Sequence, residues 1–367
     1  MQKQIPSHEK AQRGERLSFD EALDLYYSAD LLDLARWARA IKEKKSGKNV
    51  YYNVNRQINL TNICTALCPL CAFSCEAGEK QAFTLEKADV IRLLRQTIEK
   101  TPHLTEVHMV SALHPDKDFS YYTDIVRTVK EILPNVHLKA FTPVEIVHFA
   151  EISGKSIKEV LSLLKAAGLD SLPGGGAEIL DDDIRQIICP KKATTAQWIE
   201  TIKTAHQLGL PTNATMMYGH IESIEQRLRH LFTLRDIQDE TGGFQAYVSF
   251  PFHPGNTELA DRTTRTSSWE DLRMIALSRL ILDNFDHIKG FWMMLTQPVA
   301  QLALAFGVDD LDGTVEEEKI IHAAGAKTKT GITRPEIIEM IRQTGYTPVE
   351  RDTFYNEVSH PEVTTHA

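Results

Sequence analysis

Asn59-Leu-Thr-Asn-Ile-Cys-Thr-Ala-Leu-Cys-Pro-Leu-Cys-Ala-Phe73 places Cys64, Cys68 and Cys71 in a CxxxCxxC spacing directly behind an apolar, strand-like run at 57–61. Three thiolates so close in sequence can bind three irons of a cubane cluster and leave the fourth iron open, whereas a closed tetrahedral zinc site requires a fourth protein ligand. Cys75, four residues beyond Cys71, could supply that ligand, so structural zinc or an oxidised cysteine knot is the alternative. Structural zinc sites usually pair two ligand knuckles separated by a dozen or more residues, and no second Cys/His knuckle follows. Cys75 therefore reads as an accessory, and Cys189, alone in Ile187-Ile-Cys-Pro190, as a buried inert thiol.

The run ahead of the cysteines is the first of eight strand-like segments, at 57–61, 106–111, 136–141, 169–172, 213–218, 245–250, 288–292 and 302–306. Amphipathic helices separate them. One opens at Thr84 and runs to Lys100, one follows the capping box Ser156-Ile-Lys-Glu159 and ends at Gly168, and one spans 195–208 ahead of Gly209. Such alternation predicts a parallel sheet, and eight units predict closure into a TIM-like (β/α)8 barrel, with a doubly wound open sheet as the alternative. A capping box at Ser18-Phe-Asp-Glu21 and the spacing of Leu31, Leu34, Ala35, Ala38 and Ile41 predict two helices over 18–45, a lobe or lid ahead of the barrel. The expected division is a helical extension at 1–50, a barrel at 51–327, and a C-terminal extension at 328–367 with a polar tail from Glu357.

With 41 basic and 50 acidic residues the chain carries a formal charge of −9, which works against a nucleic-acid backbone as partner and favours a small-molecule substrate. The N-terminus lacks a signal-peptide h-region and no apolar run approaches the ~20 residues of a membrane span. A cytoplasmic protein is expected, without membrane association. Cysteines gathered at one site also fit a reducing compartment.

In a barrel the chemistry belongs to loops just after the strands. Pro173-Gly-Gly-Gly-Ala-Glu178 is such a loop: Gly174, Gly175 and Gly176 let the backbone approach a ligand, and Glu178 suits ribose hydroxyls or an ammonium. His114, His220 and His253 fall on the same rim, where imidazole can donate, accept or shuttle a proton. Lys139 lies within the third strand and must point outward or meet an anion. Phe291 and Trp292 read as core. Asp309, Asp310 and Asp312 lack EF-hand spacing and read as a rim loop for hydroxyls or a cationic group, with a capped helix starting at Thr314-Val-Glu-Glu317.

Thr61-Asn-Ile-Cys64, Ser111-Ala-Leu-His-Pro-Asp116, Lys139-Ala-Phe-Thr-Pro-Val-Glu-Ile146, Leu172-Pro-Gly-Gly-Gly-Ala-Glu-Ile179 and His287-Ile-Lys-Gly-Phe-Trp292 together resemble the menaquinone and deazaflavin branch of the radical SAM (S-adenosylmethionine) enzymes, over roughly residues 18–356. Within that branch, Asp310-Leu-Asp-Gly-Thr-Val-Glu-Glu-Glu-Lys-Ile320 and His322-Ala-Ala-Gly-Ala326 are most similar to the aminofutalosine synthases. The sister cyclase acting on dehypoxanthine futalosine typically reads Asp-Phe-Gly-Ser there and the deazaflavin synthase Asp-Leu-Gly-Gly-Thr; both stay open as alternatives. Leu70 replaces a usual aromatic and Ala112 an expected glycine.

The resemblance implies a [4Fe-4S] cluster on Cys64, Cys68 and Cys71, with S-adenosylmethionine on its open iron. Phe73, Ser111, Ala112, the three glycines and Glu178 are the expected cofactor contacts. It also implies an external electron donor such as flavodoxin or ferredoxin. The implied reaction cleaves S-adenosylmethionine to methionine and a 5′-deoxyadenosyl radical, which adds to the enol ether carbon of 3-[(1-carboxyvinyl)oxy]benzoate. Rearrangement, oxidation and loss of carboxylate then give 6-amino-6-deoxyfutalosine. A substrate with two carboxylates calls for donors, for which His114, Lys139 and His220 are the candidates, with Asp312 beside them.

Overall fold

Val54 divides the first long strand in two, and that break closes the barrel. Residues 6–315 and 319–359 are described in the computed structural model. Ahead of Val54, β1 (Asn49–Asn53) pairs with β8 (Asp310–Gly313); beyond it, β2 (Asn55–Asn59) pairs with β3 (Glu106–Val110), which pairs with β4 (His137–Ala140). Isolated bridges Lys139↔Ser171 and Leu172↔Thr212 link β4 to β5 (Thr212–Tyr218). The ring continues through β6 (Phe244–Pro251) and β7 (His287–Lys289) to β8. All of these strand pairs are parallel, as the crossover helices require.

Alternation along β3 shows how the barrel is filled. Val107 and Met109 are buried beneath helices such as Phe119–Ile132, whose Tyr122, Ile125, Val126 and Val129 share their apolar cluster. Glu106, His108 and Val110, at the alternate positions, line the interior. The apolar face of this strand therefore points outward and its polar face inward, which leaves the barrel axis available for chemistry.

The N-terminal helices lie against the barrel flank. The capping box Ser18–Glu21 forms as its residues dictate, with Ser18 N donating to the Glu21 carboxylate at 2.8 Å. Leu34 and Ala38 of the helix Leu31–Ser46 share one core cluster with Leu277 of the helix Ser268–Ile281. A further short helix, Ser7–Arg13, precedes them.

At the other end of the chain, β9 (Thr347–Glu350) pairs with β1, and the residues after it close the lower mouth of the barrel. Arg351 Nε and Tyr355 OH both donate to Asp310 Oδ2 at 2.7 Å, and Thr353 Oγ1 donates to Glu106 Oε2 at 2.6 Å. The Tyr355 ring stacks on His287 at 3.5 Å.

The expected strand at 302–306 is helical: Gln297–Ala303 runs into a 3₁₀ turn at Leu304–Phe306, and the eighth strand is Asp310–Gly313. A short apolar run cannot separate a buried helix from a buried strand, and an acidic run does not advertise a strand at all. Burial is tolerated because each acid meets a cation: Asp309 with Arg279 at 2.8 Å, Asp310 with Arg351, and Asp312 with Lys289 at 2.7 Å. The acidic rim loop of the sequence reading is thus corrected to a strand. Likewise the helix expected from Thr84 begins at Lys87, because Thr84 instead pairs with Thr61. Trp292 opens the short helix Trp292–Leu295 and is buried, Nε1 donating to Gly313 O at 2.9 Å. Thr314 and Val315 continue out of β8 without a helix, Glu316 and Glu317 lie outside the described residues, and the next helix is Ile320–Ala323. The tail beyond residue 359 also lies outside them. Among the described residues no helix is long and apolar enough to cross a membrane.

Candidate active site

A cavity of about 330 Å³ runs down the barrel axis from the cysteine loop to a polar floor. Cys64 and Cys71 line its mouth, while Cys68 is buried behind them. The loop that carries them is fixed from three sides: Thr65 N donates to Leu113 O at 2.9 Å, Leu70 N to Ile188 O at 3.4 Å, and Glu258 N to Pro69 O at 3.1 Å. Cys71 N closes a turn on Cys68 O at 2.9 Å. Burial pushes the Cys68 thiol up to about 12, with the Lys192 ammonium pulling the other way.

None of the five cysteines is in a disulfide. Cys75 is held in a backbone bridge beside Ile63, and neither it nor Cys189 lines the cavity. A thiol-only set of three, two of them facing an open cavity, suits a soft iron-sulfur cluster with one corner left for a ligand. Among the described residues no three His, Cys, Asp or Glu side chains converge on a single ion. The corners of a cubane hold their thiolates farther apart than one ion's ligands.

Opposite the cysteines, the glycine turn is shaped by the protein's own packing. Gly174 has φ +72°, and a Cβ there would lie 1.7 Å from Asn213 O; Gly176 has φ +78° and faces Val144, where a Cβ would lie 2.5 Å from its methyl. Gly175 and Gly176 line the cavity and Gly174 does not. The Arg185 guanidinium fastens the turn from behind, bonding Gly176 O at 3.3 Å, Ala177 O at 2.5 Å and Ala193 O at 3.1 Å.

Glu178 lines the cavity in a left-handed conformation, φ +45°, which is uncommon outside glycine and marks a constrained position. Its carboxylate accepts from Lys192 Nζ at 2.6 Å. Burial opposes its charge, yet Lys192, then Arg185 and His220, hold it below the usual carboxylate range. Lys192 in turn is held well above the usual amine range despite burial, by Glu178 first and then by the Cys68, Cys189 and Cys71 thiols. Sequence reasoning missed this lysine; its only signal is Cys189-Pro-Lys-Lys192 on the loop that returns from the glycine turn.

Glu145 was also missed, although its capping box Thr142–Glu145 is legible. It lines the cavity and ties two loops together, accepting from Ser111 N and Thr142 N, each at 2.7 Å. Burial pushes its carboxyl up to about 7 against those bonds. Phe73, Ser111 and Ala112 line the same wall.

On the floor, Lys139 binds Glu106 at 2.8 Å and Lys289 binds Asp312 at 2.7 Å. Both predicted residues, Lys139 and Asp312, therefore reach the cavity, already paired. His114 and His220 do not line it. His114 Nδ1 accepts from Asp116 N at 3.0 Å, and the fully buried His220 ring lies 2.7 Å from Glu222. Their loops sit on the rim as expected, but the rings brace those loops. His253 lines the cavity and bonds Met294 O at 3.0 Å.

Residues 58–234 match the Radical SAM superfamily, and residues 241–364 match the CofH/MqnC C-terminal region. The chain is 44% identical over 357 residues to the aminodeoxyfutalosine synthase of Thermus thermophilus, covering 96% of this chain and 95% of that one. It is 42% identical to the synthase of the same name from Streptomyces coelicolor, over 95% and 92% of the two chains. The 5-amino-6-(D-ribitylamino)uracil–L-tyrosine 4-hydroxyphenyl transferase of Archaeoglobus fulgidus is 40% identical over 88% of this chain and 92% of its own. Among solved structures, the FeFe-hydrogenase maturase HydG from Carboxydothermus hydrogenoformans aligns with a TM-score of 0.73 at 17% identity, over 95% of this chain and 79% of that one. Methylornithine synthase (PylB) aligns at 0.71 and 15%, over 93% and 97%, which supports the barrel fold.

Proposed function

The chain belongs to the radical SAM superfamily and, within it, to the family of the aminodeoxyfutalosine synthases, and we propose that it joins the 5′-deoxyadenosyl group of S-adenosylmethionine to 3-[(1-carboxyvinyl)oxy]benzoate, leading to 6-amino-6-deoxyfutalosine. It is an enzyme of the [4Fe-4S] and S-adenosylmethionine type. The observation that carries the specific reaction is end-to-end identity of 44% to a synthase of that name. When bound, the cluster and S-adenosylmethionine supply an adenosyl radical.

The chain's own residues take the remaining tasks. Cys64, Cys68 and Cys71 hold the cluster. The Ser111–Ala112 backbone, positioned by Glu145, and Phe73 would border the cluster, and Gly175, Gly176 and Glu178 would complete the seat for S-adenosylmethionine. Gly174 acts by letting the turn approach Asn213. Val110, Val248, Phe250 and Phe291 give the cavity apolar walls that exclude water and stray hydrogen donors and fix the alkene's orientation. The paired floor, with Lys139 and Asp312, faces the polar end of the substrate. A flavodoxin or ferredoxin is the proposed reductant.

The transferase from Archaeoglobus fulgidus, at 40% identity, favours a second reading, in which tyrosine takes the benzoate's place. The two separate by where the adenosyl carbon goes. An adenosyl radical that adds to its substrate ends up inside the product, so 5′-labelled S-adenosylmethionine, reductant and the enolpyruvyl benzoate under anaerobic conditions should yield labelled aminofutalosine with equimolar methionine. Free 5′-deoxyadenosine with the benzoate unconsumed would rule the synthase assignment out.

A further inference from the structure

His108 projects into the cavity from β3, between its two register partners, Gln57 of β2 and Lys139 of β4. Gln57 Nε2 donates to its Nδ1 at 3.4 Å, which leaves the ring proton on Nε2. That Nε2 is buried and has no hydrogen-bond partner among the described residues. A buried donor without an acceptor is costly, on the order of 1–3 kcal/mol, and calls for an explanation. Burial keeps the imidazole neutral, its pKa lowered to about 4, so the ring offers a donor without bringing a charge.

The surroundings indicate which acceptor would fit. Glu106 and Asp312 are already engaged by Lys139 and Lys289, so neither acid is left as an uncompensated charge to repel an anion. Each ammonium has three donors, one of them directed to its carboxylate. Above His108 on the same strand stands Val110, and Val248, Phe250 and Phe291 continue an apolar wall toward the cysteines. A ligand with an anionic end and a flat apolar body would place the first on the floor and the second along the wall.

We infer that His108 Nε2–H, flanked by Lys139 and Lys289, seats a carboxylate of an aryl-acid substrate on the barrel floor. The inference deepens the proposed reaction and rests on it only for the identity of that acid. With the ring carboxylate held below, the substituent in the meta position is directed up the cavity toward the mouth.

The test uses anaerobically reconstituted holoprotein with S-adenosylmethionine, and 3-fluorobenzoate as probe, titrated by its fluorine resonance. His108→Leu should weaken the probe by about tenfold to a hundredfold, the loss of one hydrogen bond to a charged group. His108→Gln, which keeps a donor, should recover most of it, and 3-fluorobenzamide, a neutral and weaker acceptor, should lose less affinity than the benzoate in His108→Leu. Equal probe affinity in wild type and His108→Leu, or no probe binding to wild type, overturns the seat. If labelled S-adenosylmethionine gives no aminofutalosine while His108→Leu still loses the probe, the reaction assignment falls and the seat stands.

Discussion

The mouth and the floor of the same cavity are built on opposite principles. At the mouth, thiols, tight turns and backbone amides converge, and conformation matters more than charge: Leu67 has φ +41°, Gly174 +72°, Gly176 +78° and Glu178 +45°. On the floor the buried cations Lys139 and Lys289 meet the acids Glu106 and Asp312, and behind it Arg351 meets Asp310, each pair joining residues that are apart in sequence. A ligand whose chemistry never varies is served by a rigid backbone cradle. A choice among small acids is served by side chains that can be exchanged without rebuilding the loop.

The largest expected effect breaks the mouth alone. Cys68→Ala should abolish the cluster, while Cys75→Ala and Cys189→Ala retain about four irons per chain after anaerobic reconstitution. Iron and sulfide analysis with visible absorption decides it. Stoichiometric zinc without reconstitutable iron would defeat the cluster assignment.

The floor should fail differently. Arg351→Met leaves Asp310 buried without its cation, and removing one partner of a buried pair costs about 3–5 kcal/mol. Thermal or urea unfolding should show that loss while iron content on reconstitution stays normal. A variant that lost its cluster but not its stability would erase the distinction between the two regions.

Legibility in the sequence follows the same division. The cysteine spacing, the glycine turn and the capping boxes are local, because their chemistry is set by residues a few positions apart. The floor is not local: Glu106, Lys139, Lys289 and Asp312 become neighbours only through strand register, and each in isolation resembles a misplaced charge. That is why Asp310–Gly313 reads as a loop and His108, which alternates with Val107 and Met109, passes unnoticed in an ordinary strand. His114 and His220 mislead for the converse reason. Their loops lie where barrel logic places them, but only three-dimensional packing shows that the rings turn into those loops.

A smaller effect sharpens the role of the mouth. Glu178→Ala should weaken S-adenosylmethionine binding to the holoprotein by about 1.5–3 kcal/mol, the range for a hydrogen bond to a charged group. Because Glu178 also holds Lys192 at 2.6 Å, the loss could travel through the lysine. A double-mutant cycle with Glu178→Gln and Lys192→Met separates the routes: additive losses mean that each side chain meets the ligand by itself. An unchanged dissociation constant in Glu178→Ala assigns the acid elsewhere.

The smallest effect concerns how the mouth is braced. His230 Nδ1 accepts from Leu180 N at 3.0 Å and its Nε2 meets Thr215 O at 2.9 Å, so the neutral ring ties the loop after the glycine turn to β5. Burial lowers its pKa to about 3. The unfolded chain therefore binds a proton near pH 6.5 that the folded chain refuses, and stability is full above that pH and falls as the pH drops toward 3. Between pH 6.5 and 5 the loss from this one residue is about 2 kcal/mol, at ~1.36 kcal/mol per unit. Buried His206, lowered to about 4, acts in the same direction, so the readout must be a difference between proteins. Urea unfolding at pH 7.5 and 5.0 should show wild type losing about 2 kcal/mol more than His230→Gln over that interval. Equal losses would mean that the ring is not what makes the mouth sensitive to acid, and would leave the glycine turn to its bonds from Arg185, Trp198 and Thr215.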